Sequence, residues 1–265
     1  MSSPLREAAT VCLVRDTEPG LEVLMVQRTP SARFMAGAWV FPGGAVDEDD
    51  GAGPSSRGIV SRDPDLAPWR AAALRELVEE TGFWLLETGT TVTANRPSGQ
   101  DVFSNVIERG ERFAGDSLWY FANWITPAPL PIRFDTRFFA AAVPGGLDPS
   151  IDGNELVDAL WIRPAEVLER AASGTWIVAF PTRKIIEFLG TFDSSDQLRR
   201  RVDGRFSIEP IQPRLSISNG RIDILMPDEP GFEEATVGER DPELMATMMQ
   251  IVAAGGDVPP EFLST

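Results

Sequence analysis

The sequence predicts an α/β fold with a C-terminal helix and hairpin extension. Three observations support it. Short β-rich runs alternate with helix-like segments along most of the chain. Hydrophobic residues make up 43% of 265 residues, enough to bury a substantial core. Charged residues, at 24%, sit at the level of an ordinary globular protein.

Residues 8–14 (Ala-Ala-Thr-Val-Cys-Leu-Val) and 22–27 (Glu-Val-Leu-Met-Val-Gln) read as adjacent strands around a turn at Pro19-Gly20. Trp39-Val40-Phe41 is a third short strand, ended by Pro42-Gly43-Gly44. From about Asp47 to Asp65 the chain is rich in Gly, Pro, Ser and Asp and lacks periodicity, which reads as an exposed loop. Trp69 to Glu80 contains only good or neutral helix formers. Asp63 or Asp65 can cap its start, and Gly82 sits where a left-handed C-terminal cap belongs.

Phe103 to Ile107 and Ser117 to Ile125 are strand-like. Arg133 to Val143 reads as a buried strand entered through an arginine-rich turn, and Glu155 to Trp161 as another strand. A helix from Pro164 to Ala172 follows, with Pro in its first turn. Farther on, Pro181 to Leu189 and Ser195 to Val202 look helical. Arg214 to Ile217 and Arg221 to Leu225 form a hairpin around Ser218-Asn219-Gly220, since Asn-Gly suits a type I′ turn. The last forty residues, 226–265, hold nine acidic residues and one basic, and read as a loosely packed acidic tail.

The charge narrows the function. Forty acidic residues against 24 basic ones give −16, and a surface that acidic repels nucleic acid and anionic lipid. There is no histidine. That excludes Ser-His-Asp and Cys-His mechanisms, histidine-liganded zinc and histidine bases. A metal here must be held mainly by oxygen, which points to Mg²⁺, Mn²⁺ or Ca²⁺. The single cysteine, Cys12, lies in an apolar run and reads as a buried strand residue. No stretch approaches the roughly 18 to 20 apolar residues of a membrane span, and Met1 to Glu7 has no signal-peptide core. The cytoplasm is the expected compartment.

The informative stretch is Arg75-Glu76-Leu77-Val78-Glu79-Glu80-Thr81-Gly82-Phe83. On a helix, Glu76 lies one turn from both Glu79 and Glu80, so three carboxylates crowd one edge while Leu74, Leu77 and Val78 supply the apolar side. Like charges at that spacing destabilise a helix by a few tenths of a kcal/mol per pair, and the macrodipole disfavours anions near its C-terminus. A bound cation is the natural compensation, with Arg75 supplying part of it.

Preceded by Gly43-Gly44 after a strand, this pattern resembles the signature of the Nudix hydrolase superfamily, G-x5-E-x7-R-E-U-x-E-E-x-G-U, where U is bulky and apolar. Its second half is matched at every specified position from Arg75 to Phe83. The first half departs: Gly44 and Arg75 are 31 positions apart against 14 in the signature, so 17 residues are inserted. Counting back from Arg75, the first glutamate falls on Ala67; counting forward from Gly44, on Asp50. Asp50, Asp63 or Asp65 is left to supply that carboxylate.

Such an insertion resembles the branch that includes the peroxisomal coenzyme A diphosphatases. Arg28 to Gly44 resembles that branch's coenzyme A motif, R-(S/A)-x3-R-x3-G-x3-F-P-G-G, with Thr29 in place of Ser or Ala. Trp124 to Pro127, Arg133 to Phe139 and Glu155 to Glu166 also look like it. The resemblance implies a Nudix-type α/β/α sandwich with a mixed sheet over residues 5–172, interrupted by the 47–65 insertion. Residues 173–227 would form the extension and 228–265 the acidic tail.

It also implies roles. Glu79 and Glu80 would ligate Mg²⁺ or Mn²⁺, Glu76 would be a further ligand or the base that activates water, and Gly44 would add a carbonyl. Arg75 would orient a carboxylate. Glu155 is the candidate for an additional distant ligand, ahead of Glu108 and Glu111. Arg28, Arg33, Gly43, Arg133 and Arg137 are the candidate substrate contacts. Most of the seven tryptophans belong in the core.

The activity implied is hydrolysis of a diphosphate linkage in coenzyme A or acyl-coenzyme A, giving 3′,5′-ADP and 4′-phosphopantetheine. An NADH or ADP-ribose pyrophosphatase is the alternative in the same chemistry, and a catalytically silent sensor or interaction module the alternative in another class. The expected partner is a small diphosphate, with neither nucleic acid nor membrane; a homodimer is left open.

Overall fold

A computed structural model describes residues 4–32, 35–128, 130, 132–151, 153–202, 208–218 and 221–235. In chain order the elements are β1 (Leu5–Thr17), β2 (Gly20–Arg28), β3 (Trp39–Val40), β4 (Gly43–Ala45), α1 (Gly53–Gly58), β5 (Ile59–Val60), α2 (Ala67–Thr81), β6 (Phe83–Leu86), β7 (Gly89–Val92) and α3 (Asp101–Glu108). Then come β8 (Phe113–Ala114), β9 (Trp119–Ile125), β10 (Arg133–Ala142), β11 (Leu156–Ile162), α4 (Pro164–Ala172), α5 (Phe180–Leu189), α6 (Ser195–Val202), β12 (Arg214–Ser218) and β13 (Arg221–Leu225).

The main sheet runs β11-β2-β1-β10-β9, with β3 on β2 and β4 on β1. β1 and β10 are parallel from Leu5↔Arg133 to Val14↔Ala142; the other pairings are antiparallel, so the sheet is mixed. The period of two in β1 explains why both faces are covered. Ala9, Val11 and Leu13 join the core beneath α2, α3 and the smaller sheet β5-β8-β6-β7. Cys12 and Val14 point the other way, against Val167 of α4, Ile185 and Leu189 of α5, and Leu198 of α6. The result is a layered α/β/α arrangement.

Helix α2 is fixed at both ends. Asp63 accepts the Asp65 N–H (3.0 Å) and so caps the single 3-10 turn at Pro64–Leu66 that leads into the helix. Gly82 ends it with φ 72°, its N–H on the Val78 carbonyl (2.9 Å); a Cβ there would lie 2.3 Å from the Thr93 carbonyl oxygen. Leu74, Leu77 and Val78 are fully buried, and each such side chain contributes about 1.5–3 kcal/mol relative to exposure.

On the opposite face, the rings of Trp39 and Trp176 stack with centroids 3.9 Å apart and planes at 9°. The Trp39 N–H donates to the Ile177 carbonyl (2.8 Å), which ties the start of β3 to the segment between α4 and α5.

Two expectations are corrected. Residues 47–65 are not simply an exposed loop: they contain α1 and β5, and bury Asp50, Ser55 and Gly58. Their apolar content is too low for a periodicity to show, and polar side chains order them instead, Ser55 accepting the Gly51 N–H and donating to backbone carbonyls. Residues 103–107 form helix α3, not a strand; Val102, Phe103 and Val106 are its buried face, an i, i+1, i+4 spacing. The sequence also gives no alternation for β6, because all four of its residues are buried.

β12 and β13 pair antiparallel from Arg214↔Leu225 to Ser218↔Arg221, and the expected Asn219-Gly220 turn between them lies outside the described residues. Residues 236–265, most of the expected acidic tail, lie outside the described residues. Among the described residues no helix is long and apolar enough to cross a membrane.

Candidate active site

Arg75 organises the site. Its side chain is buried and reaches five groups. Nε and Nη2 donate to Asp50 Oδ1 and Oδ2 (3.3 and 2.9 Å), Nη2 also to the Ala45 carbonyl (2.9 Å), and Nη1 to Glu76 Oε1 (2.8 Å). Nη1 lies 3.7 Å from Glu79 Oε2, and Nη2 lies 3.4 Å from Asp47 Oδ2. Asp50 is the residue that the forward count from Gly44 predicts. The chain therefore keeps the Gly44-to-carboxylate spacing and takes up its extra length between Asp50 and Arg75. Asp65 is exposed, and Asp63, partly buried, is spent on the 3-10 turn.

The glycine pair makes room for the carboxylates. β4 pairs with β1, Gly44 opposite Ala9 and Gly43 opposite Thr10. A Cβ on Gly44 would fall 2.3 Å from Glu76 Oε1, and one on Gly43 would fall 2.3 Å from the Ala9 carbonyl oxygen. Only glycine allows the strand to run this close to both neighbours. In return the Gly43 N–H donates to Glu80 Oε2 (2.9 Å). Glu79 is held from the other side, where the Gly99 N–H donates to Oε1 (2.6 Å).

Withdrawal from water is the main cause that raises all three carboxyls above the usual range. Glu76 is pushed up to about 7, with Arg75 opposing. Glu79 rises, with the Gly99 N–H and Arg75 opposing. Glu80 is held well above the usual range, helped by neighbouring Glu76 and opposed by the Gly43 N–H and the Arg28 charge. A positive charge set among them would oppose every one of these shifts.

Glu76, Glu79, Glu80 and Glu155 line a common cavity of about 410 Å³, closed on one side by residues 94–98. Glu155 thus lines the same cavity as the helical glutamates, and its carbonyl accepts the Thr29 N–H (2.9 Å), which fixes the start of β11 against the end of β2. Glu108 is exposed and Glu111 pairs with Arg109 (2.8 Å); neither lines the cavity. Arg28 stands close enough for its charge to act on Glu80. Arg33 lies outside the described residues.

Arg133 and Arg137 are not brought to this cavity. Arg133 Nε donates to the Thr126 carbonyl (3.1 Å) and braces the connection between β9 and β10. The Arg137 guanidinium lies on the Trp69 ring, 3.1 Å from its centroid. Sequence reasoning missed Arg96 and Gly99. Arg96 lines the cavity and donates to the Ser150 carbonyl, and Gly99 anchors Glu79. The Arg96-Pro97-Ser98-Gly99 run is a turn signal, but its distance from the box in sequence hides the contact.

Among the described residues no three acidic or cysteine side chains already surround one point closely enough to hold an ion. The residues present still fit an oxygen-preferring divalent cation. Glu76, Glu79 and Glu80 are each anchored through one named oxygen, and they share a cavity whose donors are carboxylate oxygens.

The comparisons with known proteins agree with this geometry. The NUDIX domain family model matches residues 4–179. A curated relative described as putative nudix hydrolase 7, from Caenorhabditis elegans, is 31% identical over 196 residues, which are 71% of this chain and 60% of that protein. The chain thus spans about 60% of that relative's length. The human acyl-coenzyme A diphosphatase NUDT19 is 24% identical across 82% of this chain and 74% of its own length. The crystal structure of a NUDIX hydrolase from Alicyclobacillus acidocaldarius superposes with a TM-score of 0.66 at 29% identity, covering 76% of this chain and 98% of that one.

Proposed function

The chain belongs to the NUDIX domain family, and we propose that it hydrolyses the diphosphate linkage of a small nucleoside diphosphate derivative with the help of Mg²⁺ or Mn²⁺. One observation carries this reading. Three glutamates from one edge of α2 meet Glu155 in a single cavity, beside a glycine pair whose backbone approaches two of them directly.

Glu79 and Glu80 would hold the cation, with Glu155 and the Gly44 carbonyl as further oxygen donors. When bound, the ion neutralises phosphate charge and lowers the pKa of a water molecule. Glu76, held by Arg75 at the same cavity, would take a proton from the attacking water. Arg75 positions Glu76 and, at longer range, Glu79, and is itself fixed by Asp50. Arg28 contacts a substrate phosphate. Water attacks one phosphorus and the bond from that phosphorus to the bridging oxygen breaks, which leaves two phosphate monoesters.

The substrate we favour is coenzyme A or an acyl-coenzyme A, cut to 3′,5′-ADP and a 4′-phosphopantetheine. The Arg28-to-Gly44 motif and the similarity to the human acyl-coenzyme A diphosphatase across 82% of the chain support it. A small cytoplasmic metabolite also suits a chain of net charge −16 better than a polynucleotide does.

The test compares turnover of coenzyme A, NADH and ADP-ribose with Mg²⁺ and with Mn²⁺. Coenzyme A is expected to have the highest kcat/KM, and no cleavage of it removes the specific assignment. Glu79→Gln and Glu80→Gln are each expected to lower kcat/KM more than about a hundredfold without unfolding the protein. Unchanged activity in both would refute the metal site.

A further inference from the structure

The cavity of the box glutamates has a single cation among its described lining residues. Arg96 stands there against Glu76, Glu79, Glu80 and Glu155. Arg75, at the same site, pairs with Asp50 and Glu76. Arg96 pairs with no carboxylate among the described residues; its partners there are two main-chain carbonyls.

The segment that carries it, Thr93-Ala94-Asn95-Arg96-Pro97-Ser98-Gly99, joins β7 to α3. Only Ala94 and Pro97 are apolar, so hydrogen bonds to α2 set its place rather than burial. The Thr93 N–H donates to the Gly82 carbonyl (2.9 Å), and the Gly99 N–H to Glu79 Oε1 (2.6 Å). Between these two ties, Arg96 Nη1 donates to the carbonyls of Ser150 and Glu80, the latter at 3.4 Å. Ser150 is itself fixed, its N–H on the Thr81 carbonyl (2.8 Å). Both acceptors are thus held to the end of α2 that bears Glu79 and Glu80.

These contacts use one nitrogen of three. Nε and Nη2 have no partner among the described residues, and neither is sealed from solvent. They form the same edge of the guanidinium with which Arg75 takes both oxygens of Asp50. Two parallel N–H groups there match two oxygens of a carboxylate or a phosphate. The cavity selects between them. Its four carboxylates would bring a divalent cation, and the anion that arrives with such a cation in a hydrolase of diphosphates is a phosphate.

We infer that Arg96 is a substrate-binding residue, whose Nε and Nη2 take two non-bridging oxygens of one phosphate of the diphosphate. The inference rests on the diphosphate hydrolase reading above. Its guanidinium is set in advance by main-chain carbonyls, so the hold on phosphate costs no rearrangement of the glutamates.

The probe is methylenediphosphonate, a diphosphate with a bridge that water does not cleave, titrated calorimetrically into the full chain with saturating Mn²⁺. Arg96→Gln keeps a donor for the two carbonyls and removes the charge and the paired edge. It is expected to weaken the diphosphonate about tenfold or more, the scale of lost charge-assisted hydrogen bonds, with Mn²⁺ affinity and melting temperature unchanged. Arg96→Lys keeps the charge on a single nitrogen and is expected to fall between Arg96→Gln and the parent chain; it decides the matter if Arg96→Gln does not fold. Parent-like affinity in the folded variants would overturn the assignment of Arg96 and leave the hydrolase reading standing. So would a loss matched by an equal loss of Mn²⁺ affinity, since Arg96 would then only brace the segment that holds Glu79. A parent chain that binds no diphosphonate with Mn²⁺ would overturn both readings together.

Discussion

Asp50 and Arg75 form a two-pronged ion pair with both residues buried, 5% and 4% exposed, at 2.9 and 3.3 Å. Burial works against the arginine charge, and the Asp50 and Glu76 carboxylates more than offset it. The pair joins the turn after β4 to the middle of α2, so the strand carrying the glycines and the helix carrying the glutamates are held in one register.

Removing one partner leaves the other buried and uncompensated. Asp50→Ala is expected to cost about 3–5 kcal/mol in urea unfolding. Asp50→Asn keeps an acceptor for Arg75 and should cost less. Equal stability of Asp50→Ala and the parent chain would show that the pair is not a structural clamp.

The two box glycines should fail differently. A Cβ at Gly43 meets backbone, the Ala9 carbonyl and the Thr10 Cα, which cannot move aside. Gly43→Ala is therefore expected to destabilise the fold by about 2 kcal/mol or more. At Gly44 the obstacle is the end of the Glu76 side chain, which can rotate away. Gly44→Ala should keep its melting temperature within a few degrees and lose at least tenfold in kcat. Thermal denaturation beside steady-state kinetics separates the two.

The buried carboxylates make stability depend on pH in a particular direction. The Glu76 carboxyl is raised from 4.5 to about 7, so the folded state holds a proton that the unfolded chain has released. Its contribution is complete below about 4.5 and disappears as pH rises through about 7; the swing from this group alone is on the order of 3 kcal/mol. Glu79 and Glu80 shift the same way. Chelator-treated protein is expected to be less stable at pH 8.5 than at pH 5.5, and Mg²⁺ or Mn²⁺ to restore the loss at the higher pH. A flat profile in chelator would contradict the burial argument.

Glu155 sits far from the box in sequence and beside it in space. Glu155→Gln should leave the fold intact, because its carbonyl contact with Thr29 belongs to the backbone. A tenfold or larger fall in activity with a higher metal requirement is expected; metal titration of the rate measures both.

Where the sequence was legible, a period or a stop signal made it so. Glu76, Glu79 and Glu80 share an edge because helical spacing leaves no other choice, and Gly82 ends the helix where its φ requires glycine. Pro164–Ala172 and Ser195–Val202 carry clear helical patterns and form α4 and α6 within those bounds. What stayed hidden depends on contacts between distant segments. Asp50 was one of three aspartates able to answer Arg75, and only the packing of the insertion selects it. Gly99 offers Glu79 a backbone N–H, a group that every residue except proline carries and no pattern can mark. Residues 103–107 misled because Phe, Val and Ile favour strands locally, while burial of Val102, Phe103 and Val106 beneath the small sheet favours a helix.

The stacked Trp39 and Trp176 rings have an optical consequence. Two nearly parallel indoles at 3.9 Å couple electronically, which gives the native state a near-ultraviolet circular dichroism signal that neither ring produces alone. Trp39 stands four residues ahead of Gly43, so that signal reads whether the strand leading to the glycines is seated. It would follow loosening of this strand in the intact protein without a label and without any substrate.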